Sequence, residues 1–129
     1  MEINFESVKI GKQEIIVSQN DTAAHYGSGL IEVFATPAMV GLMENTAQLS
    51  IQPYLPKGYI TLGIEINVKH IKATPIGMKV YCESILINVD GKKLLFEIKA
   101  HDEKGEIGTA SHTRYIVDSK KFMDKLSES

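Results

Sequence analysis

Thr36-Pro37-Ala38-Met39-Val40-Gly41-Leu42-Met43-Glu44-Asn45-Thr46-Ala47-Gln48-Leu49-Ser50-Ile51-Gln52-Pro53-Tyr54 is the stretch on which the reading of this chain turns. A threonine before a proline predicts an N-cap followed by proline at the first helical position, where its missing N–H costs nothing. From residue 38 to about residue 54 the run is apolar nearly all round, and a helix without a wide polar face is expected to be buried. Pro53 and the Pro56-Lys57-Gly58 turn end it. Beyond that turn the apolar period changes to two. Ile60, Leu62, Ile64, Ile66, Val68 and His70 fall on one face, and Thr61, Glu65, Asn67 and Lys69 on the other, which predicts a long half-buried strand.

The rest of the chain arranges itself around these two elements. Thr74-Pro75-Ile76-Gly77 turns the chain into a strand over 78–89, and Asp90-Gly91 reads as a hairpin turn. Strands follow over 94–101 and 107–117, separated by Glu103-Lys104-Gly105. Upstream, 14–17 reads as a first strand, 20–29 as loop and 30–35 as a short apolar extended piece; 119–129 reads as a helical turn with a frayed tail. One apolar helix and several long meandering strands predict the α+β class, with an antiparallel sheet wrapped around a central buried helix. That is the hotdog architecture, expected as a single domain over 1–129 with its core in 14–117. The strand over 78–89 has apolar residues on both faces, so a homodimer, or a tetramer as the larger assembly, is expected.

Charge and composition narrow the classes of partner. Fourteen basic against 16 acidic side chains give a net charge of −2 over 129 residues. This excludes a generically basic nucleic-acid binder and a polybasic membrane surface. No apolar run reaches the ~18 residues of a bilayer span. Met1-Glu2-Ile3-Asn4 carries no signal-peptide pattern, and a cytoplasmic location is expected. The single Cys82 excludes an internal disulfide and a cysteine-cluster metal site. His25, His70, His101 and His112 lack metal-ligand spacing, so no metal or cofactor is expected.

Function is sought where residue types break the pattern. Glu44 lies in the middle of the apolar helix, where a carboxylate would lose hydration; it is read either as turned to a solvated seam or as a reactive carboxylate, nucleophile or general base. His70 ends the apolar face of the strand expected to pack on that helix, and imidazole is the group best suited to proton transfer near neutral pH. Thr36 sits where helix N–H groups and the dipole favour negative charge. Thr36 and Glu44 stand about 12 Å apart along one helix at ~1.5 Å per residue. A site using both would therefore draw on two chains, or place the two groups on either side of the substrate. Arg114, the only arginine, is read as a surface charge or as a contact to phosphate or carboxylate. Gly63 interrupts a β-rich strand and is read as a bulge or a close backbone approach.

Val33-Phe34-Ala35-Thr36-Pro37-Ala38-Met39-Val40-Gly41-Leu42-Met43-Glu44 resembles the helix entry of the fluoroacetyl-CoA thioesterase family, a hotdog group. The likeness continues through Gly63, Val68-Lys69-His70, Ala73-Thr74-Pro75-Ile76-Gly77, Phe96-Glu97-Ile98-Lys99-Ala100-His101-Asp102, Ile107-Gly108 and His112-Thr113-Arg114. It implies an acyl-CoA thioesterase with Thr36, Glu44 and His70 as the catalytic set and Gly63 and Arg114 near the ligand. In that family's fluoroacetate-specific enzyme the segment before the helix is an aromatic-rich lid; here 22–30 is glycine-rich with a single tyrosine, and the acyl group stays open. Two other classes are kept. One is a non-catalytic acyl-CoA-binding module. The other is an enoyl-CoA hydratase, whose Asp and His would be Asp21 and His25, here four apart and without the accompanying Asn-Pro.

Overall fold

The computed structural model describes residues 9–128, so the reading of residues 1–4 lies outside it. Five strands, β1 (Ile10–Ile16), β2 (Tyr59–His70), β3 (Lys79–Asp90), β4 (Lys93–Asp102) and β5 (Gly105–Asp118), form one antiparallel sheet in the order β1-β3-β4-β5-β2. Helix α1 (Ala23–Tyr26) is a single turn, capped by the Thr22 hydroxyl, inside the segment expected to be loop. Helix α2 (Thr36–Ile51) lies against the inner face of the sheet, and α3 (Ser119–Ser127) follows β5. The expected α+β wrapping of a sheet around one helix is what the chain adopts. Among the described residues no helix is long and apolar enough to cross a membrane.

Helix α2 buries Met39, Leu42, Met43, Thr46, Ala47 and Ile51, a single stripe at helical spacing. They meet Val80, Cys82, Leu94, Phe96, Ile98 and Ile116 of the sheet in one core. Fully burying each large apolar side chain contributes about 1.5–3 kcal/mol. The packing is close enough to exclude a side chain: a Cβ at Gly108 would lie 2.6 Å from the Met39 Cε. The expectation of a helix buried all round is corrected here. Gly41 and Asn45 are exposed and Leu49 is 50% exposed, because a single curled sheet covers only one side of a helix.

Two further expectations change. The N-cap is Ala35, not Thr36; Thr36 is the first helical residue, Pro37 follows it, and no side chain caps the helix. The single apolar face drawn along residues 60–70 is broken by a bulge, with the register to β5 shifting between Gly63 and Glu65. Before the shift Tyr59 and Thr61 face the core; after it Ile66 and Val68 do. An extra residue inverts the face of every side chain beyond it, which leaves Ile64 57% exposed. Residues 30–35 are also less extended than expected: Leu30 is 98% exposed, and bridges form only at Val33 to Pro75 and Phe34 to Thr22.

Candidate active site

The first cluster forms where α2 begins. Because Ala35 takes the cap position, the Thr36 hydroxyl is left for the last residue of β2. Its Oγ1 lies 2.8 Å from the His70 Nδ1. The Phe34 ring meets the His70 ring edge-on at 6.3 Å. The His70 Nε2 is buried without a hydrogen-bond partner. Burial lowers the His70 pKa below its ordinary 6.5, with the Lys72 backbone pulling partly against it, so the ring is neutral at pH 7. Beside the pair opens a groove of about 410 Å³ lined by Val33, Phe34, Ala35, Thr36, His70 and Ala73 among others.

The loop supporting this groove is tied down from below. Asp102 is buried and accepts hydrogen bonds from Lys72 Nζ (2.9 Å), Thr74 Oγ1 (2.9 Å) and the Lys104 N–H (2.8 Å). Burial alone would raise the Asp102 pKa; these three donors outweigh it and hold the carboxyl below its ordinary value.

The second cluster lies two turns along α2. Glu44 Oε2 is 4.0 Å from Arg114 Nη1, and the Glu44 side chain is 40% exposed. Of the two readings of Glu44, the structure matches the solvated seam and not the deeply buried carboxylate: Glu44 stands between α2 and β2, with one side open. Gly63 supplies that seam. A Cβ there would sit 3.0 Å from Glu44 Oε2 and 3.1 Å from the His112 Cε1. The bulge reading of Gly63 holds, and the group that approaches its backbone is the chain's own Glu44 carboxylate.

Arg114 is not a surface charge. It is buried, donating from Nε to Thr61 Oγ1 (2.7 Å) and from Nη2 to the Thr61 carbonyl (2.9 Å). Its Nη1 lies 3.1 Å from His112 Nε2, and His112 Nδ1 lies 2.8 Å from the Glu65 carbonyl. Burial lowers the pKa of both groups; Arg114 lowers His112 further, while the Glu65 carbonyl and Glu44 oppose the shift. Thr61 and His112 escape a reading of sequence alone. His112 stands two residues from Arg114 and so shares its strand face, which is the signal that points to it. Thr61 turns inward only because of the bulge, which no spacing announces.

The structure joins Thr36 to His70, and Glu44 to Gly63 and Arg114, but does not join the two groups within one chain. His70 and Gly63 are seven residues apart on β2, roughly 23 Å at ~3.3 Å per residue. Both clusters border β2, which is an edge of the sheet.

The wrapped sheet and helix are those of the hotdog proteins. A hot-dog-like protein from Thermanaerovibrio acidaminovorans shares this fold with a TM-score of 0.88, covering 96% of this chain and 92% of its own at 22% identity. A narrower likeness lies in the thioesterases. The fluoroacetyl-CoA thioesterase of Streptantibioticus cattleyicolor is 41% identical over 97 residues, 75% of this chain and 70% of that protein. The solved structure of the fluoroacetyl-CoA thioesterase FlK matches with a TM-score of 0.90 and 33% identity, covering 98% of both chains. The family model for fluoroacetyl-CoA-specific thioesterases matches residues 17–120, and the chain belongs to that family.

Proposed function

We propose that this protein hydrolyses the thioester of a small acyl-CoA to the free acid and CoA, with Thr36, Glu44 and His70 as its catalytic set. The observation that carries the reading is the 2.8 Å bond between the Thr36 hydroxyl and a neutral His70 beside an open groove. Glu44 acts as the base that draws a proton from water as the oxygen attacks the thioester carbonyl. The proton drawn by Glu44 passes to the neutral His70 beside Thr36, and the C–S bond breaks as the imidazolium so formed protonates the departing sulfur, so that one water ends as acid hydroxyl and thiol hydrogen. The Asp21 carboxylate, which a hydratase would use, is occupied by the N–H and hydroxyl of Ser18 at 2.8 and 3.0 Å, which favours hydrolysis over hydration.

The two clusters meet, in this reading, across a homodimer. Antiparallel pairing of two β2 edges about an axis between Ile66 and Asn67 would set His70 opposite the partner's Gly63, and so Thr36 and His70 beside the partner's Glu44. The exposed Ile64 and the unpaired edge of β2 support such pairing.

The test is a panel of acyl-CoAs assayed for free thiol. Wild type is expected to turn over short acyl groups and Glu44→Ala to lose most of kcat with its fold intact. Retained hydrolysis by Glu44→Ala would overturn the assignment. Coexpressing Glu44→Ala with His70→Ala tests the shared site. Random dimers should recover roughly a quarter of wild-type activity, because half are mixed and each mixed dimer holds one intact site. No recovery would mean that each site is built from one chain.

A further inference from the structure

We infer that His112 is a positioning residue for the reaction, acting through Arg114. This rests on the reading of Glu44 and Arg114 as part of the site. The Glu65 carbonyl can only accept, so the 2.8 Å contact to it puts the proton of His112 on Nδ1. The neutral ring then offers a lone pair at Nε2, which accepts from Arg114 Nη1 at 3.1 Å. Thr61 holds the other side of the guanidinium through Nε and Nη2. The fork is pinned at three nitrogens, and its Nη1 is left facing Glu44 Oε2 and the Gly63 backbone. One imidazole thus ties two features together. It satisfies the carbonyl of the residue just past the bulge, and it fixes the cation against which the carboxylate stands. Phe96 of β4 lies beside the ring, with centroids 6.2 Å apart, and the ring is buried with a contact at each nitrogen.

The two bonds of His112 are separable by substitution. His112→Asn places an amide near Nδ1 and keeps the Glu65 bond while losing the acceptor for Arg114. His112→Gln places a carbonyl oxygen near Nε2 and keeps that acceptor. His112→Asn is expected to lose roughly 100-fold in kcat/KM, the effect of an ångström of misplacement. His112→Gln should stay within about tenfold of wild type, the loss of one hydrogen bond. His112→Asn combined with Arg114→Ala should be no worse than Arg114→Ala alone, since both act through one contact. Equal losses in the Asn and Gln variants, or additive losses in the double variant, would overturn the inference and leave His112 a core residue. Long-range ¹H–¹⁵N NMR of the wild-type ring reads the same question without activity. A protonated Nδ1 and bare Nε2 at neutral pH are expected, and a protonated Nε2 would refute the pin. If wild type releases no thiol from any acyl-CoA, the activity reading falls while the NMR result still decides the placement of Arg114.

Discussion

Gly63 carries more constraint than its size suggests. The two atoms that crowd its missing Cβ differ in what they can do: the Glu44 carboxylate is the end of a flexible side chain, whereas the His112 ring is buried and held at both nitrogens. Gly63→Ala is therefore expected to push Glu44 outward rather than move the ring. Its measurable result should be a fall of roughly 100-fold in kcat/KM, the effect of a displaced catalytic group, with only a small fall in Tm. An unchanged kcat/KM would show that Glu44 acts from elsewhere. At this scale the sequence is informative because chemistry resides in residue types. A carboxylate in an apolar helix, a histidine ending an apolar strand face and a glycine in a β-rich run each break a local rule. The partnership of Thr61 and His112 with Arg114 lies outside that logic, because it depends on which face β2 turns inward on either side of its bulge.

Among the elements, the loop between β2 and β3 is the one whose fixation matters to the groove. Asp102 holds Lys72 and Thr74 of that loop, and the Thr74 carbonyl accepts from the Phe34 N–H at 2.8 Å. One buried carboxylate therefore links the β4–β5 turn to the segment leading into α2. Asp102→Ala would leave the buried Thr74 hydroxyl and the Lys104 N–H without their acceptor. A loss of about 3 kcal/mol is expected. Thermal unfolding should record this as a Tm roughly 10 °C lower. A Tm within a degree or two of wild type would show the cluster to be dispensable. The strands and the helix are readable from period and punctuation. The bulge in β2 is not, since Ile60 to His70 keeps an unbroken alternation of apolar residues across it.

Across the whole molecule, two histidines, the buried His112 and the half-buried His70, set the response to acid. Burial is the leading cause that lowers both His70 and His112 below their ordinary 6.5. Above that value folded and unfolded chains both carry neutral rings, and stability is unaffected. Below it the unfolded chain binds protons first, so the folded state loses stability as pH falls. Asp102, held below 3.8, keeps its contribution until the pH falls further still. Calorimetry between pH ~8 and ~5 should show a Tm that is flat at the alkaline end and declines through the lower part of the range. A His112→Gln protein should show a shallower decline, and an identical one would mean that His112 is not among the groups responsible.

The alternation of apolar residues, the proline at the helix start and the glycine turns are local signals. They determined by themselves that the central helix and a run of antiparallel strands would form, and which residues were out of place in them. Period-two and period-3.6 patterns persist in sequence because burial acts on every residue of an element. Tertiary structure alone decided that Thr36 leaves its helix cap to reach His70, that Arg114 is buried against Thr61 and His112, and that Glu44 stands apart from His70 within one chain. Those outcomes depend on strand register and on a single inserted residue, and neither leaves a periodic trace in the order of amino acids.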